Sequence, residues 1–95
     1  MWQVNIGCSG RAGSAKYIEA DHSIEFWWEL GGVDVVAVIV APPPQAWNSE
    51  EMVWTCGRRR EILNRVAEQI IRLCAPNSVA EITDGDTAII LRRRT

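Results

Sequence analysis

The sequence has 95 residues, of which 47% are hydrophobic and 23% charged, and its net charge is −2. This composition is typical of a compact globular domain and excludes a disordered or fibrous chain. A chain of this length builds one modest core, so we predict a single domain over residues 1–95. The charge is uneven, because residues 1–51 carry two basic and seven acidic groups, whereas residues 52–95 carry eight and five.

Two features indicate a cytoplasmic protein without a membrane anchor. The longest nearly uninterrupted apolar run, Val35 to Pro44, is far too short to span a bilayer, and the first residues lack the pattern of an export signal. The three cysteines, Cys8, Cys56 and Cys74, have no C-x-x-C spacing, so the sequence indicates neither a disulfide framework nor a zinc site. We expect reduced and mostly buried thiols.

The first part of the chain predicts an antiparallel meander of about four strands. Alternating apolar and polar residues give a short first strand over 2–6, and the stretch 9–14 then predicts a break. A second strand is expected over 16–20, followed by a turn at Asp21-His22 and an aromatic-rich strand from Ser23 to Leu30. Gly31-Gly32 then predicts a two-residue hairpin turn into a fourth strand that starts at Val33.

That turn would fix the register and the two faces of the hairpin. The expected core-face pairs are Leu30 with Val33, Trp28 with Val35, Phe26 with Ala37, and Ile24 with Ile39. The opposite side would carry apolar groups mixed with carboxylates. These outer residues are Glu25, Trp27, Glu29, Asp34, Val36 and Val38.

The second part of the chain predicts a crossover, a helix and a hairpin. Pro42-Pro43-Pro44 cannot continue a strand, and Asn48 and Glu51 are spaced as in a helix capping box. A long amphipathic helix is expected after a break near Gly57, with one apolar arc of about 140° on the helical wheel. That arc contains Ile62, Leu63, Val66, Ala67, Ile70, Leu73 and Cys74. Asp84-Gly85 then predicts the turn of a C-terminal hairpin.

The predicted fold class is α+β: an antiparallel sheet, with a meander of about four strands, a crossover and a C-terminal hairpin, packed on one long α-helix. Because one helix covers only one face of a sheet, the other face should meet solvent or another molecule.

The sequence argues against an enzyme, because it offers few convergent catalytic groups. The single histidine, His22, is expected to be a solvated turn residue, and a Cys8–His22 pair would lack a third, orienting group. Gly7 to Gly10 lacks the strand-turn-helix context of a nucleophile elbow, and Asp84-Gly85-Asp86 lacks the other ligands of a calcium loop. We therefore predict no catalytic residues, no metal and no cofactor.

Arginine clusters provide a candidate anion site. Arg58, Arg59 and Arg60 fall near a helix start, where positive charge is disfavoured and a bound phosphate would compensate it. With the run at 92–94 they could hold a nucleic-acid backbone. The alternatives are pairing of the first run with Glu50-Glu51 and a solvated tail for the second. Nucleic acid is the less favoured partner.

The outer sheet face is the main candidate for binding a protein. Trp27 beside Val36 and Val38, ringed by Glu25, Glu29 and Asp34, suits a basic or aromatic-seeking partner, or a second copy in a homodimer. The alternative is that the segment 41–56, with Trp47 and Trp54, folds over this face and buries it.

Several short stretches between residues 17 and 74 resemble small bacterial immunity proteins and related small bacterial families. They are Tyr17-Ile18-Glu19, a strand ending at Glu29, Trp47 after the crossover, and a helix opening Arg60-Glu61-Ile62-Leu63. Pro42-Pro43-Pro44 and Cys56-Gly57 depart from such families. The resemblance implies neutralisation of a partner toxin by binding. The expected function is thus a non-enzymatic protein-interaction module, with nucleic-acid or phosphate binding as the alternative.

Overall fold

The structure is a computed structural model that describes residues 1–9, 12–32, 35–83 and 87–94. These residues form six strands and two α-helices, with a 3₁₀ helix between the α-helices. The strands are β1 (Trp2–Ser9), β2 (Ala12–Glu19), β3 (His22–Leu30), β4 (Val35–Val40), β5 (Ser78–Ile82) and β6 (Ala88–Arg93). The helices are α1 (Pro44–Trp47), the 3₁₀ helix (Glu50–Thr55) and α2 (Arg59–Cys74).

The strands form one antiparallel sheet in the order β1-β2-β3-β4-β6-β5, curled into a half-barrel with α2 against one side. The α+β class and the antiparallel sheet are confirmed. The sheet of the described residues has six strands in all, because β6 inserts between β4 and β5 and joins the meander to the C-terminal hairpin. The expected long helix is not found, because α2 has 16 residues.

The expected break at residues 9–14 is wrong at Ser9 and at residues 12–14, which lie in β1 and β2, while residues 10 and 11 lie outside the described residues. β1 and β2 pair continuously from Trp2 with Glu19 to Ser9 with Ala12, so β1 is eight residues long. Position 13 of this ladder accommodates glycine because Trp28 packs directly over it. A Cβ at this position would overlap the indole ring and the carbonyl oxygen of Gly7. Gly13 therefore serves close packing and not a turn.

The expected register of β3 and β4 is also wrong. Leu30 pairs with Ala37, Trp28 with Ile39 and Trp27 with Val40, a slip of four residues from the expected pairs. The chain does not turn within Gly31-Gly32, because the Gly31 amide donates to the carbonyl oxygen of Val36 at 3.0 Å and so closes a longer loop. Since the slip is an even number, Phe26, Ala37 and Ile39 still face the core. The expected partner of Leu30, Val33, lies outside the described residues.

The core lies between the sheet and α2. Its largest fully buried side chains come from strands and helix together: Tyr17, Phe26, Ile39, Ile62, Leu63, Val66, Ile89 and Leu91. The predicted apolar arc of α2 is buried through Ile70, but Leu73 and Cys74 in the last turn are exposed. The helix is expected to contribute about 1.5–3 kcal/mol for each large side chain that it buries.

The crossover packs on the helix side of the sheet. Trp47 is buried in the core, while the Trp54 ring stacks on Tyr17 and on His22, with the Trp54–His22 ring centroids 4.6 Å apart. The segment 41–56 therefore does not bury Trp27, and that alternative is wrong. Gly57, with φ of +73°, separates the 3₁₀ helix from α2, as expected.

None of the helices in the described part of the chain is long and apolar enough to cross a membrane.

Candidate protein-binding face

The outer face is the side of the sheet that points away from α2, and Trp27 is its most prominent residue. Trp27 is 60% exposed, although it lies within a regular strand. Its neighbours across the ladder are Ser14 on β2 and Val40 on β4, and Val40 is also exposed. Because alternate residues of β3 point to opposite sides, burial of Ile24 and Phe26 in the core directs Trp27 outward.

Glu29 lies on the outer face between two apolar neighbours. Its cross-strand partners are Ala12 on β2 and Val38 on β4. Ion pairs of the described residues involve the carboxylates of Glu19, Glu61 and Glu81, and Glu29 takes part in none of them. Within the described part of the chain, Glu29 therefore has no cationic partner.

Glu25 is in a different setting from Glu29. It is exposed, and its neighbour on β2 is Lys16, so its charge is partly balanced across the ladder. The outer face around Trp27 thus carries two carboxylates, of which Glu29 is the less compensated.

The structure groups four of the six residues predicted for this face: Glu25, Trp27, Glu29 and Val38. Val36 lies at a bulge between Val35 and Ala37, and it packs against the core beside the end of α2. The bulge explains this, because the extra residue breaks the strict alternation of sides. The expected pairing of Trp27 with Val36 is accordingly wrong. Asp34 lies outside the described residues.

An open groove of about 450 Å³ lies beside Trp27 at one end of the sheet. It is lined by Ala12, Gly13, Trp27, Trp28, Glu29 and Val40. Sequence reasoning missed Ala12 and Val40, since Ala12 fell in the expected break and Val40 was not among the residues assigned to the outer face. The alternation of sides along β4 could have identified Val40, because it puts Val40 on the same side of the sheet as Val38.

Arg58 and Arg59 of the predicted anion site contact other side chains of the protein. The Arg58 guanidinium donates to both oxygens of Glu19 at 2.7 and 2.8 Å, and to Glu61 at 2.6 and 2.9 Å. Arg59 lies over the Trp47 ring, 5.4 Å from its centroid, while Arg60 is exposed. The carboxylates that face Arg58 are thus not those of Glu50-Glu51.

Glu19 on β2, Arg58, and Glu61 on α2 form a polar cluster that joins the strand to the helix, and we call this cluster the polar lock. The hydrogen bonds from Arg58 and Tyr17 lower the pKa of Glu19 to about 2, and Glu19 in turn raises the pKa of Arg58. Burial raises the pKa of Tyr17, and its hydrogen bond to Glu19 adds to that effect. Arg65 donates to the Tyr17 hydroxyl at 2.8 Å and lies over Trp2, 4.9 Å from the ring centroid. We interpret this cluster as structural.

The Cys8–His22 pair is not assembled. Cys8 is level with Gly13 and Trp28 in the sheet, whereas His22 is level with Glu19. His22 and Trp28 are six residue steps apart along β3, which is about 20 Å along a strand. His22 is the first residue of β3, stacked on Trp54, and not a turn residue.

The cysteine side chains differ from the expectation of mostly buried thiols. Cys56 and Cys74 are both exposed, in the turn before α2 and at its last residue. The side chain of Cys8 and the Asp84-Gly85 turn lie outside the described residues. Among the described residues, no three histidine, cysteine, aspartate or glutamate side chains come together as metal ligands.

Comparison of the chain with protein-family models, with curated proteins and with solved structures finds no match.

Proposed function

We propose that the protein is a non-enzymatic interaction module that binds a basic protein partner through the outer face of its sheet. The observation that supports this most is Trp27, which is 60% exposed in the middle of an ordered strand. A tryptophan side chain buries up to about 150–250 Å² when fully covered. Covering the exposed part of the ring would therefore contribute about 3 kcal/mol to binding.

The surroundings of Trp27 have the composition of an interface centre. Apolar contact area comes from Val38 and Val40, and the carboxylates of Glu25 and Glu29 lie next to it. Interfaces combine a central aromatic anchor with a polar rim, and charge complementarity selects the partner. Two carboxylates beside the anchor favour a partner that presents basic groups.

We further propose that the partner is a toxin, which the protein would neutralise by covering part of its surface. The support is the resemblance of Tyr17-Ile18-Glu19, Trp47 and Arg60-Glu61-Ile62-Leu63 to small bacterial immunity proteins. Two of these stretches supply Glu19 and Glu61 to the polar lock, so the resembling residues belong to the scaffold behind the outer face.

Nucleic-acid or phosphate binding through Arg58, Arg59 and Arg60 has less support. Arg58 already faces two carboxylates, and a phosphate would have to displace them. Arg59 is held over an indole ring.

The proposal is tested by comparing Trp27→Ala with Leu73→Ala. Leu73 is 64% exposed at the end of α2, so its truncation also removes an exposed apolar side chain but leaves the outer face intact. Each variant is immobilised and exposed to lysate of the native cell, and the proteins retained by wild type are purified. Their affinity is then measured by calorimetry.

We expect Trp27→Ala to weaken binding at least 10-fold, since truncating a central aromatic anchor commonly costs about 2 kcal/mol or more. Leu73→Ala should bind as wild type does. Equal binding by the two variants would contradict the proposal. So would retention of nuclease-sensitive material alone, or a Trp27-dependent homodimer in sedimentation equilibrium with no other protein bound.

A further inference from the structure

We infer that the groove beside Trp27 receives an arginine side chain of the partner, an assignment that rests on the proposed function and specifies its chemistry. Among the residues that line the groove are an exposed indole, two apolar side chains and one carboxylate. These come from Trp27, from Ala12 and Val40, and from Glu29 respectively.

Glu29 determines the charge of the occupant. Its neighbours across the ladder are Ala12 and Val38, and the described residues offer it no ion pair. A partner that covered this carboxylate with apolar groups would remove its water without replacing the hydrogen bonds, which is unfavourable. A guanidinium would donate two parallel hydrogen bonds to the carboxylate and so compensate that loss.

Trp27 favours arginine over other cations. A guanidinium is planar and weakly hydrated, so it stacks on an indole face, whereas the lysine ammonium is a compact, strongly hydrated charge. Two arginines of the chain already make this contact with other tryptophans. Arg65 lies 4.9 Å from the centroid of Trp2, and Arg59 lies 5.4 Å from that of Trp47. Trp27 is an exposed indole beside a carboxylate, and no arginine in the described part of the chain lies over it.

The apolar side chains that line the groove suit the methylene groups of an arginine. Arginine keeps its three methylene groups against apolar surface while its charged end reaches a polar group. Ala12 and Val40 lie on the strands that flank β3, one on each side of the Trp27–Glu29 pair. An arginine that enters the groove can therefore contact apolar surface, the indole face and the carboxylate together.

The test uses three blocked tripeptides, acetyl-Ala-X-Ala-amide, in which X is arginine, lysine or the neutral isostere citrulline. Each is titrated into ¹⁵N-labelled protein to about 20 mM, a range that detects the millimolar affinity expected of one side chain. The Trp27 indole N–H and the Glu29 amide are the reporters. Loss of one charge-assisted contact should make citrulline about 5- to 10-fold weaker than arginine, with lysine between them.

Glu29→Gln should abolish the preference for arginine over citrulline, and Glu68→Gln should leave it unchanged. Glu68 is an exposed carboxylate on α2, so this control removes the same charge elsewhere. Equal binding of arginine and citrulline, equal binding of arginine and lysine, or no arginine-induced shift at Trp27 would each overturn the assignment. If Trp27→Ala still abolished partner binding in any of those cases, the proposed function would stand and only the arginine assignment would fail.

Discussion

Replacing Glu19 by glutamine should lower stability, because Glu19 joins β2 to α2. Its two oxygens accept hydrogen bonds from Arg58 at 2.7 and 2.8 Å, and the Tyr17 hydroxyl donates to the same carboxylate. The pKa of Glu19 falls from 4.5 to about 2. At about 1.36 kcal/mol for each unit of pKa, the full shift would correspond to about 3 kcal/mol. Solvent reaches the side chain, which is 22% exposed. Screening therefore reduces the expected loss to about 1–2 kcal/mol.

The loss should depend on pH in a defined direction. Because the pKa of Glu19 is lower in the folded state than in the unfolded chain, its stabilisation is present above about pH 4.5. It disappears as the pH falls toward 2, where the folded-state carboxylate is protonated. Urea unfolding followed by tryptophan fluorescence at pH 7, 5, 4, 3 and 2.5 should show the difference between wild type and Glu19→Gln shrinking across this range.

Glu68→Gln is the matched control for this series. Its carboxylate is exposed on α2 and takes no part in the ion pairs of Arg58 or Arg65, so its unfolding free energy should stay within about 0.5 kcal/mol of wild type. A Glu19→Gln variant as stable as Glu68→Gln at pH 7 would refute the reasoning. A deficit that did not change between pH 7 and pH 2.5 would refute it equally.

Three further predictions concern the scaffold. Gly13→Ala should lower the unfolding free energy by about 1–3 kcal/mol, because a Cβ overlaps Trp28 and fixed backbone; denaturant midpoints equal to wild type would contradict this packing. Ala20→Gly should raise stability by about 0.5–1 kcal/mol, because Ala20 has φ of 54°; a lower melting temperature would show that the turn is not strained. Cys56 should react with dithionitrobenzoate in the native protein, and Cys56→Ser should remove that equivalent, since the residue is exposed; reaction only after unfolding would place the thiol inside.

The faces of β3 could be predicted from sequence, whereas its register with β4 could not. Alternation along β3 places Phe26 inside and Trp27 outside whatever strand lies beside it, so an error of four residues in pairing left both assignments intact. Gly31-Gly32 satisfies the requirement of a two-residue turn, but pairing with β6 and the bulge near Val36 set the register instead. The pairing of β4 with β6 joins segments that are far apart in the chain, so the sequence around Gly31-Gly32 gives no indication of it.

The candidate site was predictable to a similar extent. The side of the sheet on which Trp27 and Glu29 lie follows from the alternation of residues along a strand. The glycine-rich sequence around Ala12, in contrast, did not indicate that Ala12 lies in a strand. The pairing of Arg58 with Glu19 spans 39 residues, so sequence proximity gave no indication of it and favoured Glu50-Glu51 instead. Burial of Trp47 and stacking of Trp54 depend on which side the crossover takes, and the proline run before them does not specify a side.

The most direct test of the central claim is the solvent accessibility of Trp27 with and without the partner. Protein labelled with 5-fluorotryptophan gives one ¹⁹F signal for each of its five tryptophans, and Trp27→Phe identifies the signal of Trp27. A soluble paramagnetic agent should broaden that signal strongly in the isolated protein and much less once the partner is bound. A Trp27 signal that is protected in the isolated protein, or that stays fully accessible in the complex, would contradict a docking role for the outer face.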